Sequence, residues 1–340
     1  MIGMNMEKCY KARMADVAKR AGVSAMTVSL VLRDDPQNSR ITAATRQRVL
    51  DAAKELQYQP DARGRALRSG QTNVIGMYTG YGYINVRYPF FTEIISGLQE
   101  GCDTFHKDLL LHGVYRGKSS SDVYANMADG RIDGIILNLS GDNPLVTRIM
   151  ETGFPAIAIA DPVPGIPSVI VDDTGGTRIL AEYLWSKEHR NFIYQTGGTL
   201  PVSAVRRRDA FLQFMKERES HVQVFHIHDY PDGLKEIVHT IKTSNSNDRP
   251  TAIVCWNDSD AYDIMHQCRI AGLKVPDDVA IAGFDGCPLP YDVGWSLTTI
   301  RAPWSNVAFT AVHYLIEQIT GNDVPMETVL PIELIAGNTA

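Results

Sequence analysis

The chain has 340 residues, 44% of them apolar, and 33 Lys and Arg against 39 Asp and Glu, a formal charge of −6; this composition supports two or three buried cores and excludes a disordered or fibrous protein. The charge is unevenly placed: thirteen basic and seven acidic residues fall at or before Gln71, a balance of +6, which leaves twenty against thirty-two, or −12, for the rest. A cationic segment joined to an acidic body can meet phosphates at one end while the body is repelled from non-specific DNA.

Residues 15–30 carry the clearest local signal. Val17, Ala18 and Ala21 recur at helical spacing, Gly22 breaks the helix, and Ser24 can cap a second helix whose inward face is Val28 and Val31. The pattern predicts a helix-turn-helix, in which a second helix enters the major groove of DNA with its N-terminal side chains against base edges. Arg33 to Arg40 reads as a polar loop, and Thr42 as the cap of a third helix through Ala44, Val49, Ala52, Ala53 and Leu56. Tyr58-Gln-Pro60 closes that unit, because the residue before a proline avoids helical geometry. The next stretch, from Asp61 to Asn73, is short and polar, so it is expected to be frayed until something binds it.

From Val74 the texture becomes strand, turn and helix in alternation. Strands are predicted over 74–78, 109–114, 134–139 and 156–160, with helices near 91–106, 121–129 and 143–152. The rhythm restarts after 169–171, with strands near 192–195, 222–227, 252–255 and 279–282. A strand over 297–301, a helix over about 305–319 and a strand over 329–334 then return to complete the lobes. The expected fold is α/β: an N-terminal helix-turn-helix headpiece followed by a two-lobed core of doubly wound parallel sheets. The expected division is a headpiece over 1–60, a hinge helix or linker over 61–71, a first lobe over 72–171 plus about 295–322, and a second lobe over 172–294 plus about 323–340. A ligand is expected in the cleft between the lobes, outside the carboxyl ends of the strands.

The head, the connector from Tyr58-Gln-Pro60 to Leu67, Pro89-Phe-Phe91, Ile132-Asp-Gly-Ile135, Gly283-Phe-Asp285 and Leu297-Thr-Thr299 occur in one order. Together they resemble the lactose-repressor family of bacterial transcription regulators, from about Ala15 to about Leu334. The resemblance implies a hinge helix that forms on operator DNA, a core similar to periplasmic sugar-binding proteins, and a homodimer reading a pseudo-palindromic duplex. It places the recognition-helix positions on Ala25, Met26, Thr27, Ser29 and Leu30, with Ser24 capping and Arg33 at the far end. Relatives usually carry a hydrogen-bonding side chain at one of the places of Ala25, Met26 and Leu30, which are all apolar here. Such side chains press on thymine methyl groups but cannot bond guanine or adenine bidentately. A hydrophobic, partly shape-based readout is therefore expected, with Thr27, Ser29, Arg33 and Thr45 holding phosphates. Leu67 matches the leucine that the family wedges into the minor groove, with Arg63, Arg65 and Arg68 around it. Gly64 stands where many relatives have alanine and costs that helix on the order of 1 kcal/mol.

The same resemblance places effector contacts on Arg207, just before a helix aromatic, on Ser203 one turn earlier, on Asp285 after a late strand, and on Asn257 and Asp161 at strand ends. It adds Tyr230 as an aromatic lid and Phe91 as a stacking ring. Carboxylates, an amide, an arginine and flat rings suit a polyhydroxylated ring, so the expected small-molecule effector is a sugar or glycoside. A nucleobase or an organic acid is the alternative, since Arg207 could equally pair a carboxylate. Each position also has an ordinary use: Asp285 and Asn257 could cap helices, Arg207 could join an interlobe ion pair, and Phe91 could be core. Tyr78, Tyr81, Tyr83 and Trp295 are further aromatic candidates at the cleft edges.

No cofactor, metal or catalytic role is expected. His226 and His228 alternate along a predicted strand as a solvated face would, and Cys9, Cys102, Cys255, Cys268 and Cys287 form no Cys-x-x-Cys pair. Gly80-Tyr-Gly82 is out of register for a dinucleotide fingerprint, and there is no Gly-x-Ser-x-Gly elbow. No run nears the roughly 18 apolar residues of a membrane helix, and the opening residues lack the apolar stretch of a signal peptide, so a cytoplasmic protein without a membrane partner is expected. The core alone would also suit a transport-type solute receptor, a reading opposed by the head.

Overall fold

The computed structural model describes residues 12–32, 41–86, 88–115, 117–198, 200–227, 232–287 and 294–340. The chain divides into two units, Met1–Thr72 and Asn73–Ala340. In the first, α1 (Met14–Ala21) starts where Asp16 accepts the backbone N–H of Arg13 at 2.8 Å. It stops at Gly22, whose φ of +68° costs a glycine little. The second helix, α2 (Ala25–Val31), begins on Ser24, whose hydroxyl accepts the Thr27 N–H at 3.1 Å. Thr42 does the same for Thr45 at 3.2 Å and opens α3 (Ala43–Glu55). Val17, Val28 and Val49, one from each helix, are fully buried, each contributing roughly 1.5–3 kcal/mol relative to exposure.

The connector expected to be frayed is instead helical, as α4 (Ala62–Ser69). It has a defined stop: Gly70 takes φ +72° and donates its N–H to the Ala66 carbonyl at 2.8 Å.

The second unit begins with β1 (Val74–Thr79), α5 (Pro89–Thr104), β2 (Asp108–Leu111), α6 (Ser120–Met127), β3 (Gly134–Asn138), α7 (Pro144–Thr152), β4 (Ala156–Ile159) and β5 (Ser168–Val171). It continues with α8 (Asp173–Ser186), β6 (Asn191–Gly197), α9 (Val202–Lys216), β7 (His221–Ile227), α10 (Asp232–Thr243), β8 (Ala252–Cys255), α11 (Asp258–Ile270) and β9 (Ala280–Asp285). It closes with β10 (Thr298–Arg301), α12 (Trp304–Ile319), β11 (Glu327–Leu330) and β12 (Glu333–Ile335). Two six-stranded sheets result, in the orders β11-β5-β4-β3-β1-β2 and β12-β10-β9-β8-β6-β7. Central strands such as β3 and β8 are buried at every residue, as apolar runs are in parallel sheets covered on both faces.

The closing segments divide between the lobes differently from the expected 295–322 and 323–340. β10 pairs with β9 in the second sheet, α12 packs on α5 of the first lobe, β11 pairs with β5 in the first sheet, and β12 returns to the second. The pairing of β10 with β12 is antiparallel and sits at the edge of otherwise parallel sheets. The single strand expected over 329–334 is two strands, because Pro331 has no N–H for a ladder and the chain changes sheets there. The chain thus crosses between lobes at 171–173, 301–304 and 330–333, and the carboxyl ends of the parallel strands face the cleft so formed.

Candidate functional site

A cavity of about 310 Å³ lies between the lobes. The first lobe supplies Tyr81 and Tyr83 after β1, Phe90 and Phe91 on the first turn of α5, Asn138 at the end of β3, and Asp161 just past β4. The second supplies Ser203 and Arg207 of α9, Trp256, Asn257 and Asp260 around the start of α11, and Asp285 at the end of β9. Trp304, which opens α12, adds a ring.

Arg207 is the electrostatic centre. Its side chain is buried, donates from Nε to Asp173 at 2.7 Å and from Nη1 to the Trp256 carbonyl at 3.0 Å, and lies 3.6 Å from Asp285. Its guanidinium stacks 3.6 Å above the Phe284 ring, a cation–π contact that gains strength in a desolvated site. Both acidic partners belong to the second lobe, so the pair is not the interlobe one considered from the sequence. Burial pushes the Asp285 carboxyl up to about 8, against the lowering pull of Arg207. Trp304 Nε1 donates to Asp285 Oδ1 at 3.2 Å. Behind them, burial raises Asp258 to about 6, opposed by the Thr299 hydroxyl at 2.6 Å and the Gly286 N–H at 2.8 Å.

Asp161 works differently. The Tyr81 hydroxyl donates to its Oδ2, and the backbone N–H of Ser203, 42 residues along the chain, donates to its Oδ1 at 2.8 Å. A first-lobe carboxylate therefore satisfies an orphan N–H at the start of α9 in the second lobe, where the helix dipole favours negative charge. Asn257 also has a structural task, capping α11 through the Asp260 N–H at 2.8 Å. Phe91 meets Phe90 edge-on at 5.1 Å, and Phe90 meets Trp304 at 4.9 Å, which fixes the aromatic wall.

Phe91, Asp161, Ser203, Arg207, Asn257 and Asp285 are thus brought to one cavity, with Tyr81 and Tyr83 beside them. Tyr78 is instead buried in the core of the first lobe and Trp295 packs against that of the second. Sequence reasoning missed Asp260, Trp256 and Trp304. The available signal was Asn257-Asp-Ser-Asp260, which places a second polar residue one turn past a strand end.

In the first unit, Ala25 and Met26 at the start of α2 are exposed, Met26 at 74%. Thr27, Ser29 and Leu30 are half-buried, and the Thr27 and Ser24 hydroxyls share a hydrogen bond of 2.9 Å. The half-buried Thr45 hydroxyl accepts from Thr42 at 3.0 Å. Leu67 on α4 is 90% exposed, an apolar side chain that its own unit leaves uncovered. Arg33 and Tyr230 lie outside the described residues, as do the side chains of Arg63, Arg65 and Arg68.

A helix-turn-helix head and a two-lobed core with a ligand-sized cleft define a DNA-binding regulator with a small-molecule sensor. The comparisons agree on both parts: a model for bacterial regulatory proteins of the lacI family matches residues 13–61, and one for a periplasmic binding protein-like domain matches residues 181–340. The chain thus joins a lacI-family DNA-binding domain to a periplasmic binding protein-like domain. The transcriptional repressor PurR of Aliivibrio fischeri is 29% identical over 328 residues, which span 92% of this chain and 93% of the relative. The regulator DegA of Bacillus subtilis is 28% identical over 300 residues, 86% of this chain and 87% of its own. The crystal structure of the Lac repressor dimer bound to operator and the anti-inducer ONPF shares the fold, with a TM-score of 0.82 at 24% identity over 97% of this chain and 99% of that one.

Proposed function

We propose that the protein is a ligand-responsive transcription regulator of the repressor type, which reads a pseudo-palindromic duplex as a homodimer and binds a small-molecule effector, a sugar or glycoside, between its core lobes. The observation that carries this reading is the presence in one chain of an exposed α2 opening on Ala25 and Met26 and of a cleft cavity with polar groups converging from both lobes. The Lac repressor structure that matches here holds operator and ligand together, which supports carrying both activities over. Ala25, Met26 and Leu30 read base edges through apolar contact, Ser24 caps the helix, Thr27, Ser29, Arg33 and Thr45 position it on phosphates, and Leu67 with Arg63, Arg65 and Arg68 works the minor groove. Phe91, Asp161, Ser203, Arg207, Tyr230, Asn257 and Asp285 serve the effector. Differential affinity of that effector for two lobe arrangements couples it to DNA.

The relatives are transcription regulators rather than enzymes, and among the described residues no helix is long and apolar enough to cross a membrane. We assign the protein to the cytoplasm, where its duplex lies. The test is selection of the full chain against a random-duplex pool. One enriched two-fold-symmetric sequence is expected, with an affinity that falls steeply with salt because phosphate contacts release counterions. Failure to enrich any sequence, with or without sugars present, overturns the reading.

A further inference from the structure

The cavity is more acidic than its arginine suggests. Three carboxylates line it, Asp161, Asp260 and Asp285, against one lining cation among the described residues, Arg207. That cation is already neutralised from behind by Asp173, whose side chain is 1% exposed and does not line the cavity. Asp260 is held firmly in place: its Oδ2 accepts from Gln195 Nε2 at 2.7 Å and from the Trp256 indole N–H at 2.7 Å. Gln195 is fully buried and its amide oxygen has no partner among the described residues. A buried amide left half-satisfied costs free energy, so its placement is spent on orienting Asp260. Asp285 is 93% buried, lines the cavity, and accepts a hydrogen bond from Trp304 at Oδ1.

We infer that Asp260, oriented by Gln195 and Trp256, is a further specificity-determining residue of this cleft, and that the cavity takes a neutral or amine-bearing polyhydroxylated ring while rejecting its acid and phosphate derivatives. The inference rests on the effector reading above. An anion entering the cleft meets the Asp161 and Asp260 carboxylates, an Asp285 carboxyl whose proton burial retains, and an arginine with its charge already spent, so it loses water without gaining a free cation. A hydroxyl or ammonium brings a further donor to carboxyl groups that can each accept more bonds than they hold. The seven aromatic side chains of the lining, among them Phe91 and Trp304, supply the apolar face for ring C–H groups.

The experiment titrates the purified full chain by calorimetry with matched sets of hexose, hexosamine, hexuronate and hexose 6-phosphate in the gluco, galacto and manno configurations. The tightest binder is expected to be a hexose or hexosamine, about tenfold or more tighter than the uronate and phosphate of the same configuration. In Asp260→Asn, which keeps an acceptor for Gln195 and Trp256, that binder should weaken about tenfold, as loss of a charged hydrogen bond does, and the preference over the acid should shrink. An unliganded melting temperature matching the wild type checks the variant's fold, and the wild-type ranking stands without it. A uronate or phosphate as the tightest binder, no binding by any hexose or hexosamine, or an Asp260→Asn preference unchanged within twofold overturns the inference. Duplex selection by the same preparation separates the two readings: a chain that selects DNA yet prefers acids refutes only this one.

Discussion

Replacing Arg207 with methionine tests whether the buried ion cluster holds the second lobe together. The substitution removes a guanidinium whose side chain is 5% exposed and strands Asp173 at 1% and Asp285 at 10%. Breaking a buried pair by removing one partner costs about 3–5 kcal/mol, because the remaining charge has no compensation. Methionine keeps apolar contact with Phe284, so the stacking contributes little beyond that figure. All four tryptophans, Trp185, Trp256, Trp295 and Trp304, lie in the second unit, so urea unfolding followed by their fluorescence reports on it alone. A loss of about 3–5 kcal/mol is expected near pH 8, shrinking near pH 5 as the stranded carboxylates take up protons. Adding Asp173→Asn should recover at least about 1 kcal/mol, the signature of two residues in one network. A loss below about 1 kcal/mol, or strict additivity of the two substitutions, would show that the cluster contributes packing and not charge.

Other outcomes follow from the same structure. Burial raises Asp285 from 3.8 to about 8 and Asp258 to about 6, so between those values the folded chain holds protons that the unfolded chain releases. Stability is therefore lost as pH rises from about 4 to about 8; Asp285→Asn should flatten this slope of melting temperature, and parallel slopes would refute the assignment. Leu67, 90% exposed, gives up no packing in Leu67→Ala, so the melting point should hold while affinity for the selected duplex falls about tenfold and its bend relaxes in an end-to-end fluorescence-transfer assay. An unchanged bend refutes the wedge. Met26→Ala should cost the head less than about 0.5 kcal/mol yet alter the base preference in duplex selection, as should Leu30→Ala; an unaltered preference removes the apolar readout.

The head was legible because its signals are local. Gly22 sits where the chain needs a positive φ, Ser24 and Thr42 stand where N–H groups need acceptors, and one valine per helix marks the inner face. The strands of the second unit were legible for a similar reason, since a buried parallel strand is an apolar run wherever it lies. The exchange of closing strands was not, because nothing near Pro331 says which of two sheets will accept Val329 or Leu334. Asp260 was hidden too: an acid in the first turn of a helix reads as dipole compensation, and only the fold brings Gln195 and Trp256 to it. Asp161 could be placed at a strand end, but its partner on α9 comes from the other lobe.

That last contact has a mechanical meaning. The two lobes are joined across the cleft by a carboxylate that also walls the chamber, so an arriving donor bids for oxygens that a helix already holds. A guest that shares Asp161 seals the jaws around itself, and one that wrests it away prises them apart. The bond from Ser203 to Asp161 is thus one place where occupancy of the cavity and closure of the lobes meet.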